Sequence, residues 1–153
     1  MAGRIQARAV REGDVEYLVA HLREADRQEI TASHGPDLLA SVFDAVNRSS
    51  HVYVAEKNDR LVTLWGYQPL SMLSGVGCPW ALGTPEMDRN GKSILKLAQA
   101  SNRLVRPIYP TLKNYVDVRN KRSIGWLQRL GFVIHEPEPY GVLGLPFHPF
   151  EMV

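Results

Sequence analysis

Asp26 and Glu29 are carboxylates that the sequence places on the apolar side of its first long helix. This helix is predicted from about Val15 to about Ala32, and its apolar residues repeat with helical spacing: Val15, Leu18, Val19 and Leu22. Continuing the same stripe along the helix reaches both carboxylates. Either the helix end emerges into water, where Arg23 and Arg27 pair with the two acids, or this end borders a cleft in which Asp26 or Glu29 faces a substrate.

A second stretch, Asn90-Gly91-Lys92-Ser93, copies the end of the phosphate-binding loop of nucleoside triphosphatases. That loop needs a glycine five residues before its Gly-Lys pair in order to wrap a phosphate, and the residue there is Glu86. The sequence therefore does not predict this class of enzyme. A nucleophilic hydrolase is not predicted either, because there is no G-x-S-x-G turn and Cys78 has no evident histidine partner.

The composition is typical of one globular domain. With 153 residues, of which 44% are hydrophobic and 22% charged, we predict a single domain over residues 1–153. No apolar run approaches a membrane span, and the N-terminus lacks the apolar core of a signal peptide. One cysteine and scattered histidines predict no disulfide and no metal site. We therefore expect a disulfide-free, cytoplasmic protein.

The net charge of +2 hides a basic segment in the second half of the chain. All Lys and Arg residues that follow Cys78 lie between Arg89 and Arg129, and Asp117 is the only acid in that range. The segment is either the solvated face of helices or a site for a polyanion, such as the phosphates of a cofactor or a nucleic acid.

Asn120 separates a predicted strand, Leu112 to Val118, from a predicted short helix. The Asn side chain can accept hydrogen bonds from the first helical turn, which makes it a good N-cap. Gly131 stands where a helix ends with a left-handed residue. The unit is thus strand, Asn cap, helix, Gly stop and a new strand from Phe132.

The remaining elements give the order β-α-α-β-β-β-α-β-α-β. The pattern predicts a hairpin of His51–Glu56 with Leu61–Tyr67, then a strand from Pro79 to Thr84 and a helix from Ser93 to Val105. Residues 135–153 are rich in proline and aromatic residues and are predicted to be an extended tail with one strand near its end. We predict an α/β (α+β) fold with a mixed, mostly antiparallel sheet flanked by helices.

The Asn-to-Gly unit resembles the last motif of the GNAT acyltransferase superfamily. The matching residues are in register: Asn120, Ser123, Ile124, Leu130, Gly131 and Phe132. The resemblance implies an acyl-CoA, such as acetyl-CoA, bound where two central strands splay apart. One position departs from the pattern, because Leu127 stands where many of these acetyltransferases carry a tyrosine that protonates the CoA thiolate.

The resemblance also implies roles for individual residues. The acceptor site would be flanked by the first helices, so Asp26, Glu29 or Glu86 is the candidate base and Tyr140 the candidate acid. The cofactor would lie along one strand end, one loop and one cap: Leu82, Gly83, Thr84, Arg89, Asn90, Gly91, Lys92, Ser93 and Asn120. The loop keeps Arg89 and Gly91 but lacks the family's full glycine pattern.

Longer strings resemble a narrower group. These are Arg23-Glu-Ala-Asp-Arg-Gln-Glu-Ile, Pro79-Trp-Ala-Leu-Gly-Thr and Gly144-Leu-Pro-Phe-His. They are similar to GNAT-like small proteins of short-tailed bacteriophages related to internal virion protein A. This implies a protein of the host cytoplasm or the virion. Two alternatives to an acyltransferase follow: a non-catalytic virion or assembly protein with a host or virion protein partner, and a nucleic-acid-binding protein that uses residues 89–129.

Overall fold

Eight strands form one mixed sheet in the computed structural model, which describes residues 3–153 of the chain. The strands are β1 (Gln6–Arg8), β2 (His51–Lys57), β3 (Arg60–Ser71), β4 (Val76–Gly83), β5 (Thr111–Asp117), β6 (Val133–Ile134), β7 (Glu138–Tyr140) and β8 (Leu145–Met152). Their order is β1-β2-β3-β4-β5-β8-β6, with β7 also paired to β8. Only the β4–β5 pairing is parallel. The predicted mixed, mostly antiparallel sheet is confirmed.

Helices cover both faces of this sheet. They are α1 (Asp14–Ala20), α2 (Glu24–His34), α3 (Leu38–Arg48), α4 (Glu86–Arg89), α5 (Gly91–Val105) and α6 (Lys121–Leu130). Helices α1 to α3 bury their apolar stripes in one core, which includes Leu18, Ile30 and Val42. Ile94 of α5 belongs to a second core, against which Leu127 of α6 packs. Within residues 3–153, no helix is long and apolar enough to span a bilayer.

Strands β4 and β5 touch only at their beginnings. Their register pairs Val76 with Thr111 and Gly77 with Leu112, and no later residues of the two strands are paired. Gly77 permits this close start, since a Cβ there would lie 2.6 Å from the Tyr109 ring. The other edge of β5 pairs with β8 from Leu112 to Asp117. The sheet therefore contains a split between β4 and β5, as the family resemblance implies.

The strand–Asn–helix–Gly unit folds as predicted. The Asn120 side chain accepts a hydrogen bond from the Ser123 N–H at 3.4 Å, which caps α6. Gly131 ends the helix with φ 98°, and its N–H bonds to the Gln128 carbonyl. Both features are local, so side-chain and backbone preferences at two positions suffice to specify them.

Replacing Gly131 by alanine should destabilise the protein. The added Cβ would meet only Met152 Cε at 3.7 Å, so the cost comes from the left-handed backbone. We expect the free energy of unfolding, measured in urea, to fall by about 1–2 kcal/mol. Gly125→Ala is the matched control, because Gly125 lies inside α6 with open space around it and alanine favours a helix there. Equal effects of the two substitutions would contradict the capping role of Gly131.

The first predicted helix is wrong in one respect, since it breaks into α1 and α2. The chain leaves the helix at His21, and Arg23 adopts an extended conformation with φ −56° and ψ 145°. The Arg23 N–H donates instead to the Gly83 carbonyl of β4 at 2.9 Å. The helix is thus interrupted by a backbone hydrogen bond to a distant strand, although the helical spacing of its apolar residues continues on both sides of the break.

Three other boundaries differ from the prediction. Residues 68–77, which the sequence predicts to be a loop, form the closed end of the β3–β4 hairpin, because β3 continues to Ser71 and β4 begins at Val76. The connection before α5 contains the short helix α4. The tail contains two strands instead of the single strand predicted near its end, β7 and β8, and β8 pairs with β5 on one edge and with β6 and β7 on the other. Pro146 and Pro149 still accept hydrogen bonds at their carbonyls, from the Val118 and His135 N–H groups, so proline does not prevent this pairing.

Candidate active site

A cavity of about 570 Å³ passes through the sheet at the split between β4 and β5. On one side it is lined by residues of α2 and α3, and on the other by residues of α5 and α6. We call these the α2–α3 half and the α5–α6 half of the cavity. Its volume lies within the range of about 300–1,000 Å³ that small-molecule sites occupy. The split therefore opens a ligand-sized space that reaches both faces of the sheet.

Strand alternation decides which side chains enter each half. Trp80 of β4 packs against the core of α1 to α3, whereas Leu112 and Val116 of β5 belong to the core of α5 and α6. Because neighbouring side chains of a strand point to opposite faces, Tyr115 shares the face of Trp80. Trp80 and Tyr115 therefore line the α2–α3 half, one on each side of the split.

Glu29 of α2 lines the cavity and is held by two donors from the opposite side of the split. Its Oε1 accepts from the Asp117 N–H at 2.7 Å, and its Oε2 accepts from Asn120 Nδ2 at 3.1 Å. Burial raises the pKa of Glu29 to about 7, against the opposing effect of the Asp117 N–H bond and with a contribution from the charge of Asp26. A carboxylate with this pKa can accept a proton near neutral pH.

Asp26 lies one helical turn before Glu29, but both oxygens of its carboxylate already accept hydrogen bonds within the protein. Its two oxygens accept from Arg23 at 2.9 and 3.0 Å, and one also accepts from the Gly83 N–H at 2.8 Å. Its side chain is 1% exposed. Asp26 thus ties α2 to the end of β4, and of the two candidate bases on this helix only Glu29 lines the cavity.

Tyr140 lies on β7 and lines the cavity beside Tyr115. The two rings stack with centroids 4.0 Å apart and an interplanar angle of 13°. Burial raises the pKa of Tyr140, with smaller contributions from Cys78, Tyr115 and the charge of Glu29. The phenol therefore stays protonated at neutral pH, so it can donate a proton or a hydrogen bond into the cavity.

Glu86, the other candidate base, lies elsewhere. It is in the first turn of α4, where its carboxylate pairs with Arg89, and it does not line the cavity. The structure thus separates Glu86 from Glu29 and Tyr140. Leu127, which stands at the position of the family's acid, lines the α5–α6 half.

The predicted phosphate loop lies at the N-terminus of α5. Within residues 3–153, no protein group accepts from the backbone N–H groups of Gly91, Lys92 and Ser93. Asn90 instead bonds back to the Glu86 carbonyl at 2.8 Å and accepts from Lys57. Free N–H groups and the positive end of a helix dipole favour an anion at such an end. This end borders the cavity through Trp126, which lies 3.7 Å from the Cβ position of Gly91.

The three candidate cofactor residues on or just after β4 have different environments. Leu82 lines the cavity, whereas the Gly83 N–H is held by Asp26 and the Thr84 N–H donates to the Val62 carbonyl at 3.0 Å. The backbone groups of alternate residues in a strand point to the same edge. Because the Thr84 N–H points to β3 and the Gly83 N–H points to Asp26 instead, the N–H and C=O of Ala81 also point away from β3, to the split. Ala81 lines the cavity.

The sequence did not single out Ala81, Tyr115 or Arg23 as site residues. Ala81 matters through its backbone, which carries no residue-type signal, and Tyr115 is a typical strand residue whose stacking partner comes from the tail. Arg23 is a buried cation that joins Asp26, Asp88 and Ser123, and it also lies over the Trp126 ring at 5.3 Å. In the sequence, the only indication of a role for Arg23 was its position beside the acids Glu24 and Asp26.

The basic segment, residues 89–129, begins at the end of α4 and continues through α5, β5 and α6. Three of its arginines are neutralised by acids: Arg89 by Glu86, Arg119 by Asp117 and Arg122 by Asp88. This pairing reduces the positive charge that the segment offers to a polyanion. The interpretation as a nucleic-acid site remains a prediction of the sequence.

Solved structures of acetyltransferases resemble this fold over nearly its whole length. A spermidine N-acetyltransferase from Vibrio cholerae, in complex with CoA and spermine, superposes with a TM-score of 0.69 over 97% of this chain and 94% of that one, at 15% identity. A protein assigned as a phosphinothricin N-acetyltransferase also has a TM-score of 0.69 and 15% identity, covering 97% and 96%. The chain has the GNAT fold.

A further GNAT-fold structure, assigned as an acetyltransferase, superposes with a TM-score of 0.71 over 97% of this chain and 82% of that one, at 9% identity. No protein-family model matches the chain, and no curated protein matches its sequence. Because a GNAT fold alone does not specify chemistry, the activity must be argued from the residues in the cavity.

Proposed function

We propose that this protein is an acyl-CoA-dependent N-acyltransferase that transfers an acetyl group to an amine. The observation that carries the proposal is the cavity at the split, which brings Glu29 and Tyr140 together on one face of the sheet and opens toward α5 and α6 on the other. The CoA complex of a GNAT-fold neighbour supports the same arrangement here. A cofactor on one side and an acceptor on the other would meet at the split.

The cofactor would contact the chain mainly through backbone groups. The free N–H groups of Gly91, Lys92 and Ser93 suit a pyrophosphate, and Arg89 and Asn90 flank it. The pantetheine amide would bind the free edge of β4 at Ala81, next to Leu82. Gly83, Thr84 and Asn120 support this site indirectly, since their polar groups already bond within the protein.

The reaction is a direct displacement at the thioester carbon. Glu29 accepts the proton of the acceptor ammonium, so that the neutral nitrogen can attack the acetyl carbonyl. The C–N bond forms, the C–S bond breaks, and the thiolate of CoA leaves. Tyr140 supplies the proton that the thiolate takes up, in place of the tyrosine that Leu127 replaces. The nitrogen loses a second proton as the amide forms; this proton restores the Tyr140 phenol, and Glu29 releases its own proton to solvent. Proximity of the two bound reactants provides much of the acceleration.

Calorimetric titration with acetyl-CoA and, in parallel, with desulfo-CoA tests the cofactor site. We expect dissociation constants in the micromolar range, equivalent to about −8 kcal/mol. Release of free CoA thiol in the presence of an amine then tests transfer. Absence of binding to either compound at millimolar concentration would remove the proposed function.

Gly91→Glu should abolish CoA binding while leaving the protein folded. The Cβ position of Gly91 has its nearest neighbour at 3.7 Å, and a carboxylate in the first turn of a helix is favourable to the fold. The same carboxylate repels a pyrophosphate. Gly91→Ala adds the Cβ without the charge, so we expect it to bind desulfo-CoA as the wild type does. Unchanged binding by a folded Gly91→Glu variant would remove the pyrophosphate from this position.

A second candidate is a non-catalytic assembly protein, of the phage virion type that the narrower resemblance implies. The observation that favours it is the aliphatic Leu127 in the cavity wall, where the family's usual acid would stand. Such a protein retains the GNAT fold but need not release CoA. Cofactor binding without turnover of any amine would support this candidate over the enzyme, and co-purification with a virion or host protein would identify its partner.

A further inference from the structure

The α2–α3 half of the cavity contains one carboxylate that is free to meet a substrate. Asp44 also lines this half, but it is bonded to Arg48 at 3.0 Å. Asp26 is closed off by Arg23. Among residues 3–153, Glu29 is therefore the one carboxylate in this half that is not paired with a cation. A single carboxylate can neutralise a single ammonium group.

Three aromatic rings line this half beside the split, while polar side chains of α2, α3 and β3 line it elsewhere: Ser33, His34, Ser41, Arg48 and Gln68. Trp80 lies on the β4 side of the split, while Tyr115 and Tyr140 form a stacked pair on the other side. The Trp80 indole N–H is already donated to Ser49 at 2.8 Å, so its ring offers mainly apolar surface. Leu70 extends the apolar wall toward the opening. The three rings and Leu70 favour a ring or an alkyl body, and the other carboxylate of this half, Asp44, already has the Arg48 guanidinium as its partner.

Resting on the proposed function, we infer that the acceptor is a primary monoamine with an aromatic or apolar body, such as an arylalkylamine, rather than a polyamine. Its ammonium group lies at Glu29 and its ring lies between Trp80 and the Tyr115–Tyr140 pair. A polyamine would bring additional ammonium groups against the rings or toward the Arg48 guanidinium, which costs free energy because their hydration is lost without a free anionic partner. An acceptor carboxylate would be repelled by Glu29.

Acetylation rates with three matched probes test this inference. Phenethylamine has one amine and a ring, phenylalanine adds a carboxylate to the same skeleton, and spermidine has three amines and no ring. With acetyl-CoA, we expect kcat/KM for phenethylamine to exceed the values for the other two by at least about tenfold, which is about 1.4 kcal/mol. Equal or greater kcat/KM with spermidine or phenylalanine overturns the inference.

A variant isolates the contribution of the aromatic wall. Tyr115→Ala should lower kcat/KM for phenethylamine by about five- to tenfold relative to butylamine, since the ring loses its stacking surface. Arg103→Ala, on the exposed face of α5, should leave this ratio unchanged. An unchanged ratio in a folded Tyr115→Ala variant overturns the placement of the ring.

Desulfo-CoA binding separates failure of this inference from failure of the proposed function. If desulfo-CoA binds and spermidine is the better substrate, the acyltransferase stands and the monoamine acceptor is wrong. If desulfo-CoA binds and none of the probes is acetylated, the monoamine acceptor is likewise overturned. If desulfo-CoA does not bind, the proposed function fails first and the inference fails with it.

Discussion

Glu29→Gln should lower kcat/KM for amine acetylation by at least about 100-fold, the lower end of the usual effect of a general base. Glutamine keeps an oxygen for the Asp117 N–H and fills the same volume; it gives up the bond from Asn120 and has no basic oxygen to take the ammonium proton. Steady-state release of CoA thiol measures the effect, and desulfo-CoA calorimetry shows that the cofactor site survives. Glu86→Gln is the matched control, because that carboxylate pairs with Arg89 outside the cavity. A folded Glu29→Gln variant with full activity would contradict the assignment.

The pH profile of the wild type gives an independent signature of the same base. Because burial raises the pKa of Glu29 to about 7, the base loses its charge as the pH falls through that value. We expect kcat/KM to decrease about tenfold per pH unit below pH 7, as one proton blocks the base. The residual activity of Glu29→Gln should lack this dependence. An identical acid limb in both proteins would assign it to another group.

The same titration affects stability with a defined sign. The pKa of Glu29 rises from 4.5 to about 7 on folding, so the folded state binds more protons than the unfolded state between these values. Stability must then decrease as the pH rises through this window. In Glu29→Gln this contribution is absent, so the stability of the variant relative to the wild type should be greater at pH 8 than at pH 4.5. Urea unfolding midpoints at both values check the difference.

The parts of the site that the sequence predicted depend on local chemistry. Asn120 and Gly131 act within their own helix ends, so cap and C-terminal preferences identified them without any tertiary information. Glu29 was identified because the helical spacing of the apolar residues in α1 continues into α2, across the break between His21 and Arg23. In each case the type of the residue and its place in the local sequence pattern were enough to predict its role.

The parts that the sequence did not predict depend on distant neighbours. The break after α1 results from a hydrogen bond to Gly83, which lies on β4. Ala81 becomes a binding candidate only because Gly77 lets β4 and β5 start together and the strands then separate. Three candidate bases were left open, since only packing distinguishes a carboxylate held by Arg23 from one that lines a cavity.

The tail illustrates a different difficulty. Its prolines and aromatic residues predicted an extended segment with one strand near its end, although proline lacks the N–H that a central strand normally donates. Strand β8 nevertheless pairs with β5 and β6, because its carbonyls, including that of Pro149, still accept hydrogen bonds. Tyr140 reaches the cavity from β7 as a result of this pairing, which no local pattern indicates.

Asp26→Ala should lower the free energy of unfolding by about 3–5 kcal/mol, because it leaves a buried cation without its main partner. Arg23 is 5% exposed, and Asp26 accepts from two of its nitrogens. The Gly83 N–H loses its acceptor in the same substitution. For a domain of this size the melting temperature should fall by about 10 °C. Urea unfolding of the folded variant measures the loss directly.

The matched control for this ion pair is Glu24→Ala on the same helix. Glu24 approaches Arg27 at 3.7 Å, but its side chain is 72% exposed, so we expect a change within about 0.5 kcal/mol. The two carboxylates differ mainly in burial, and similar losses would contradict the argument that Arg23 needs Asp26.

The Arg23–Asp26 pair also connects the two halves of the site. Arg23 bonds to Asp88 beside the phosphate loop at 2.7 Å, while Asp26 lies on the helix that carries Glu29. If the pair aligns these elements, Asp26→Ala should weaken desulfo-CoA binding even where the protein remains folded, and Glu24→Ala should not. Removing both partners, as Arg23→Met with Asp26→Leu, should cost less stability than the sum of the single substitutions, because no unpaired charge stays buried. Additive losses would mean that the two residues stabilise the fold independently.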